Sequence, residues 1–139
     1  MSAEEPGLPP RHQRPLPYVN HTNRELGLML KGVKPLARFT DGEGLFPEVM
    51  VRYFRMFDRY VEVGRLVRRD VLVPHKTAGR MHTVYFALPG EEWRIQAMID
   101  LWSRAGPWSR QKEREEGELL GYTPEQNDIW LSRYYSGPE

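Results

Sequence analysis

Cysteine is absent from this 139-residue chain. Its absence excludes disulfides, thiolate metal sites and cysteine nucleophiles together. It also suits a reducing compartment, so a cytoplasmic location is the expectation. No apolar run approaches the roughly 18 residues of a membrane span, and no membrane partner is expected. The opening Met1-Ser2-Ala3-Glu4-Glu5 has no basic stretch followed by an apolar core, so no secretion signal is expected either. Also missing are a phosphate-binding glycine-rich loop, a GxSxG elbow and an HExxH helix. No cofactor is therefore expected. Lysine is scarce, with 4 residues against 16 arginines. Arginine binds carboxylate and phosphate in a planar, two-pronged way that lysine cannot; biased codon usage explains the same ratio without any ligand.

What is present is enough for one core. Hydrophobic residues make up 40% of the chain and 16 residues are aromatic, which separates it from a disordered polypeptide. The net charge of +1 hides a polarised distribution. Residues 1–49 carry six basic and six acidic side chains, residues 50–80 eight and three, and residues 81–139 six and ten. The middle third is where an anionic partner is expected to dock.

Residues 1–17 hold five prolines and little to bury, and read as a disordered or extended tail. Residues 18–139 read as a single α+β domain. Thr22-Asn23-Arg24-Glu25 has the form of a capping box that opens a helix over 22–31. A strand over 34–40 follows, with Ala37 and Phe39 on one face. Asp41-Gly42-Glu43-Gly44 is a turn; as a fragment of a calcium loop it supplies only two ligands and lacks the distant glutamate. Residues 47–63 are rich in strand formers, yet Val49, Tyr53, Met56, Phe57 and Tyr60 recur at helical spacing. Helix is the reading adopted. Strands over 65–73 and 81–88 are expected to form a hairpin, with His82, Val84, Phe86 and Leu88 on one face of the second. A helix over 91–105 is expected to bury Trp93, Ala97, Met98, Leu101, Trp102 and Ala105.

The C-terminal region is the most legible. Thr123 is a good cap, Pro124 stands at the first helical position and Gln126 completes a capping box. Gly121 is placed to end the preceding helix. Helices over 109–120 and 124–135 thus meet at a tight turn. The expected fold is a small, mostly antiparallel sheet of about three strands (34–40, 65–73, 81–88) covered by five helices. There are no internal repeats.

The best candidate site is the loop after the first hairpin strand. His75, Lys76, Thr77 and Arg80, with His82 just beyond, combine two imidazoles, two cations and a hydroxyl. Arg65, Arg68 and Arg69 extend that basic surface. Such a group suits a phosphate or carboxylate, and a histidine there suits general acid–base chemistry. An exposed polar loop, with His82 serving the core, accounts for the same residues. Two histidines need a third ligand to hold a metal, which Asp41, Glu43 or His21 would have to supply across the fold; no metal is expected. Tyr85 offers a stacking surface for a base, or simply core. The helix pair at 113–135 has a helix-turn-helix outline, but Asn127 stands where an apolar residue belongs, and Glu113, Glu115, Glu116, Glu118, Glu125 and Asp128 would face phosphates. A packed helical hairpin is the alternative.

Three functions fit. The leading one is a small soluble non-catalytic protein that binds an anionic small molecule or an acidic partner through its basic β-hairpin. In that reading Lys76, Thr77, Arg80, Arg68 and Arg69 bind the ligand. The second is a small enzyme using His75 or His82 as general acid or base. The third is a nucleic-acid binder using the same hairpin with the C-terminal helices.

Overall fold

Alternation along the strands sets the architecture. The structure, a computed structural model, describes residues 14–77 and 79–139. Of the proline-rich tail read over 1–17, residues 1–13 lie outside the described residues. Strands β1 (Leu36–Gly42), β2 (Val67–His75) and β3 (Gly79–Ala87) form one antiparallel sheet in the order β1-β3-β2. Successive side chains of a strand point to opposite faces, and the central strand β3 is buried on both. Val84 and Phe86 enter one core with Ala37, Phe54 and Phe57. Tyr85 and Ala87 enter the other with Leu36, Ile95, Met98 and Leu101.

Helices cover both faces. α1 (Glu25–Leu30) and α2 (Glu48–Glu62) supply the first core, through Leu26, Met29, Phe54 and Phe57. α3 (Trp93–Ser103) supplies the second, with α4 (Arg110–Leu120) and α5 (Pro124–Tyr134) outside it. The α+β class, the three-stranded sheet and the five helices are those expected from the sequence. No helix among the described residues is long and apolar enough to cross a membrane.

Four local expectations need correction. Thr22 does not cap α1: the cap position is Arg24, with no side-chain bond, and the Thr22 N–H is taken by Asn20 Oδ1 at 3.0 Å. Asn23 adopts φ 67°, which breaks the geometry a capping box requires. Its intended partner, Glu25, accepts instead from the Tyr53 hydroxyl. In α2 the buried stripe is rotated by one position, so Phe54 and Phe57 are buried while Val49 and Met56 are exposed. In α3 the stripe is Ile95, Met98 and Leu101, and both tryptophans are rim residues, Trp93 57% and Trp102 48% exposed. An indole at a rim keeps its N–H within reach of a partner; Trp93 donates to Glu91. Finally, the hairpin loop is shorter than the 74–80 expected, because β2 runs to His75 and β3 begins at Gly79.

Candidate functional site

The hairpin register decides which basic residues meet. Arg68 pairs with Phe86, Asp70 with Val84 and Leu72 with His82, so these residues share the α2 face. Arg69 pairs with Tyr85 and His75 with Gly79, placing them on the α3 face. The sheet thus brings Arg68, Arg80 and His82 to one side and puts Arg69 and His75 on the other. Lys76 and Thr77 sit exposed at the turn. The Thr77 N–H lies 3.3 Å from His75 Nδ1.

The hairpin arginines already hold partners. Arg80 donates to both oxygens of Glu43, at 2.9 and 2.7 Å from Nη2. Arg68 donates to Asp70 through Nε and Nη2 and to Asp58 through Nη1, at 2.8 to 3.1 Å. Arg69 reaches Gln96 at 3.1 Å. His82 Nε2 lies 2.8 Å from Asp70 Oδ2. The Asp70 carboxyl is held below its usual range, first by its bonds to Arg68 and then by His82. The sequence reading missed both aspartates: Asp58, ten residues away, meets Arg68 through the packing of α2, and Asp70, two residues on, shares its face of β2. This group borders an open concavity of about 390 Å³ between α2 and the sheet, with Phe46 and Phe54 in its wall.

A second, more enclosed cavity lies between the N-terminal segment, α4 and α5. It measures about 230 Å³. Tyr18, Asn20 and Thr22 come from the segment before α1, Glu113, Glu116 and Gly117 from α4, and Asn127 and Trp130 from α5. Local sequence explains how these pieces are held. Ser109 caps α4 by accepting from the Lys112 N–H at 3.2 Å. Gly121 ends it at φ 100°, the left-handed conformation that glycine adopts without strain. Both reciprocal bonds of the Thr123–Gln126 capping box are present, so α5 starts where the sequence places it. Lys112 Nζ donates to the carbonyls of Ala105, Gly106 and Pro107 at 3.0 to 3.2 Å, fixing the α3–α4 connection.

The far end is tied to the segment before α1. Lys34 Nζ donates to Leu120 O and to His21 Nδ1, both at 2.9 Å. His21 stacks on Tyr122 with ring centroids 3.8 Å apart. Burial first, and the Lys34 charge second, bring His21 down to about 4 from its ordinary 6.5. Burial brings Lys34 down to about 8. At neutral pH the imidazole is therefore uncharged and free to accept from the ammonium.

Three of the chain's four tryptophans converge on two carboxylates. Glu113 accepts from Trp108 Nε1 at 2.5 Å on one oxygen and from Trp130 Nε1 at 3.0 Å on the other. Glu116 stands one helical turn further on, half-buried. Burial pushes its carboxyl up, and Glu113 adds to the shift; the Arg38 guanidinium and the Trp102 indole act against it. Arg38 lies 4.4 Å from the centroid of the Trp102 ring, which stacks on Trp108 at 4.5 Å. Its Nε is buried without a hydrogen-bond partner.

Reading the sequence alone counted Glu113 and Glu116 only as charges hostile to DNA. The signal that marks them is their spacing of three on α4, with Gly117 directly after Glu116. Among the described residues no group of three or more histidines, aspartates or glutamates is placed to hold a metal ion. Comparison with protein-family models, with characterised proteins and with solved structures returns no match.

Proposed function

We propose that the protein is a small non-catalytic binding protein and that its ligand occupies the cavity between the N-terminal segment, α4 and α5. The observation that carries this reading is the cavity itself, about 230 Å³, walled by Tyr18, Tyr122 and Trp130 and holding the carboxylates of Glu113 and Glu116. Enclosed aromatic walls with a few convergent polar groups are the usual form of a small-ligand site. The size suits a fragment-sized molecule, since pockets for drug-sized ligands start at about 300 Å³. A catalytic role is less well supported, because indole N–H groups occupy both oxygens of Glu113.

A fragment library screened by thermal shift tests the proposal. A ligand at about 100 times its Kd adds about 2.7 kcal/mol of stability. Hits should stabilise the natural chain and lose most of that effect in Trp130→Leu. Hits that stabilise the variant equally would place the site elsewhere.

The basic hairpin supports a second reading, in which Lys76, Thr77, Arg80 and Arg68 bind an anionic molecule or an acidic partner surface. In its favour, Lys76 and Thr77 stand exposed at the turn beside Arg80. An anion at Arg80 or Arg68 would have to displace Glu43, or Asp58 and Asp70. The His82–Asp70 pair beside the α2 concavity supports the enzyme alternative, with His82 as general acid or base. Loss of phosphate binding in a Lys76→Ala/Arg80→Ala double variant would favour the hairpin.

A further inference from the structure

We infer that the cavity between the N-terminal segment, α4 and α5 takes an organic cation, a small primary or quaternary ammonium, held by Glu116 and Glu113 against the aromatic wall. This inference rests on the cavity being the ligand site. No lysine, arginine or histidine is among the residues lining it, whereas two carboxylates are. An anion would enter against both. An uncharged ligand would leave Glu116 as it is, half-buried beside a second carboxylate.

A cation changes that balance. Indole N–H groups engage both oxygens of Glu113, whereas Glu116 has the Trp102 indole alone as hydrogen-bond partner among the described residues, so Glu116 is the carboxylate with accepting capacity left for a ligand. Among the described residues, the charge that opposes its burial and its neighbour is that of Arg38. That guanidinium lies over the Trp102 ring and is not among the lining residues. An ammonium in the cavity would meet Glu116 directly and would lie beside Trp130 and Tyr18, whose rings attract cations. One face of Trp130 is engaged by Tyr134, with centroids 4.6 Å apart, and the ring still lines the cavity. The charged and titratable groups around Glu116 are Glu113 on its own helix, Arg38 on β1, Tyr18 on the N-terminal segment and Tyr122 between α4 and α5. Lys34 and His21 lie behind Tyr122 and bond to each other.

The proposal predicts a linkage that needs no variant. The Glu116 carboxyl titrates above its usual range. A bound cation favours its ionised form, so binding near that range must release protons.

The test uses the full chain and three probes: choline, tetramethylammonium and butylammonium chlorides, each at matched ionic strength. Calorimetric titrations are run in buffers of different ionisation heat. The uncharged carbon isostere of choline, a dimethylbutanol, is the control. We expect at least one ammonium to bind, at least 10-fold tighter than the isostere, with proton release below neutral pH. Glu116→Gln should weaken it about 10-fold through loss of the charge attraction to the ammonium, which a quaternary nitrogen feels without any N–H to donate, with the far-ultraviolet spectrum unchanged. If the isostere binds as tightly as choline, and both are lost in Trp130→Leu, the cavity is the ligand site and the cation inference is wrong. If the ammonium probes bind equally in the natural chain, Glu116→Gln and Trp130→Leu, both readings fail. Absence of binding by all three ammonium probes also overturns the cation inference. Proton uptake instead of release would overturn the assigned role of Glu116.

Discussion

Gly117 and Asn127 occupy space that only one of them could fill with a side chain. A Cβ built on Gly117 would stand 2.0 Å from Asn127 Oδ1. The glycine, in the middle of α4, lets α5 bring a buried asparagine to the edge of the cavity. Asn127 in turn reaches back to the Tyr122 carbonyl at 3.4 Å.

Gly117→Ala should therefore lower stability, although alanine is the better helix former by about 1 kcal/mol. Overpacking costs roughly 1–3 kcal/mol, and it should win here because Asn127 is buried. Asn127→Ala removes the obstacle. In a double-mutant cycle by urea denaturation, the pair should be coupled by at least 1 kcal/mol, with Gly117→Ala becoming neutral or stabilising in the Asn127→Ala background. Additive effects would mean that the two helices are not held at this distance.

Trp102 and Phe57 make a contrasting pair. Phe57 is fully buried and stacks on Phe86, with centroids 4.2 Å apart. Phe57→Ala should cost about 3–5 kcal/mol. Trp102 is 48% exposed and contributes a stack on Trp108 and the seat of Arg38. Trp102→Ala should cost about 1 kcal/mol, the scale of an aromatic pair beyond its burial. Equal costs in denaturant melts would put Trp102 in the core, as its sequence context suggests.

His21 makes the fold sensitive to acid. Its folded value is about 4 against an ordinary 6.5, so the unfolded chain takes up the proton first. The stability from this group is complete above about pH 6.5 and is lost as pH falls toward 4. At about 1.4 kcal/mol for each tenfold change in proton affinity, the loss across that window comes to about 3 kcal/mol. Lys34, at about 8 against 10.5, acts in the same direction on the alkaline side, and stability should rise from pH 8 to pH 10.5. Melts of the natural chain and His21→Gln between pH 4 and 7 check this; the variant should show a flatter slope. An unchanged slope would assign the acid sensitivity to other groups.

Thr123→Ala should cost about 1 kcal/mol by removing one half of a reciprocal cap. The denaturation midpoint reports it, and an unmoved midpoint would mean that α5 does not depend on Thr123 for its start.

Much of this fold could be read from the sequence because its signals are local. The Thr123–Pro124–Gln126 start of α5 and the end of α4 at Gly121 depend on residues within a few positions. So does the alternation of Val84 and Phe86 against Tyr85 and Ala87. What escaped needed distance. Asp58 reaches Arg68 from α2 and Glu43 reaches Arg80 from beyond β1; Asp70 is the local exception, two residues from Arg68 on the same face of β2. The rotation of α3 that leaves Trp102 on the rim depends on the sheet beneath it, which periodicity within the helix does not contain. The Glu113–Trp130 bond spans seventeen residues and two helices, and no spacing rule points to it.

The most direct test of the binding site is the set of tryptophan indole N–H signals in a proton–nitrogen correlation spectrum, followed as choline is added. Trp108 and Trp130 donate to Glu113 in and beside the cavity, whereas Trp93 donates to the half-buried Glu91 at the opposite end of α3. Saturable shifts of the Trp130 and Trp108 signals, with Trp93 unmoved, are the result predicted. Saturable binding that leaves the Trp130 and Trp108 signals in place, and moves the backbone signals of Arg68, Arg80 and His82, would contradict the account and put the site on the hairpin.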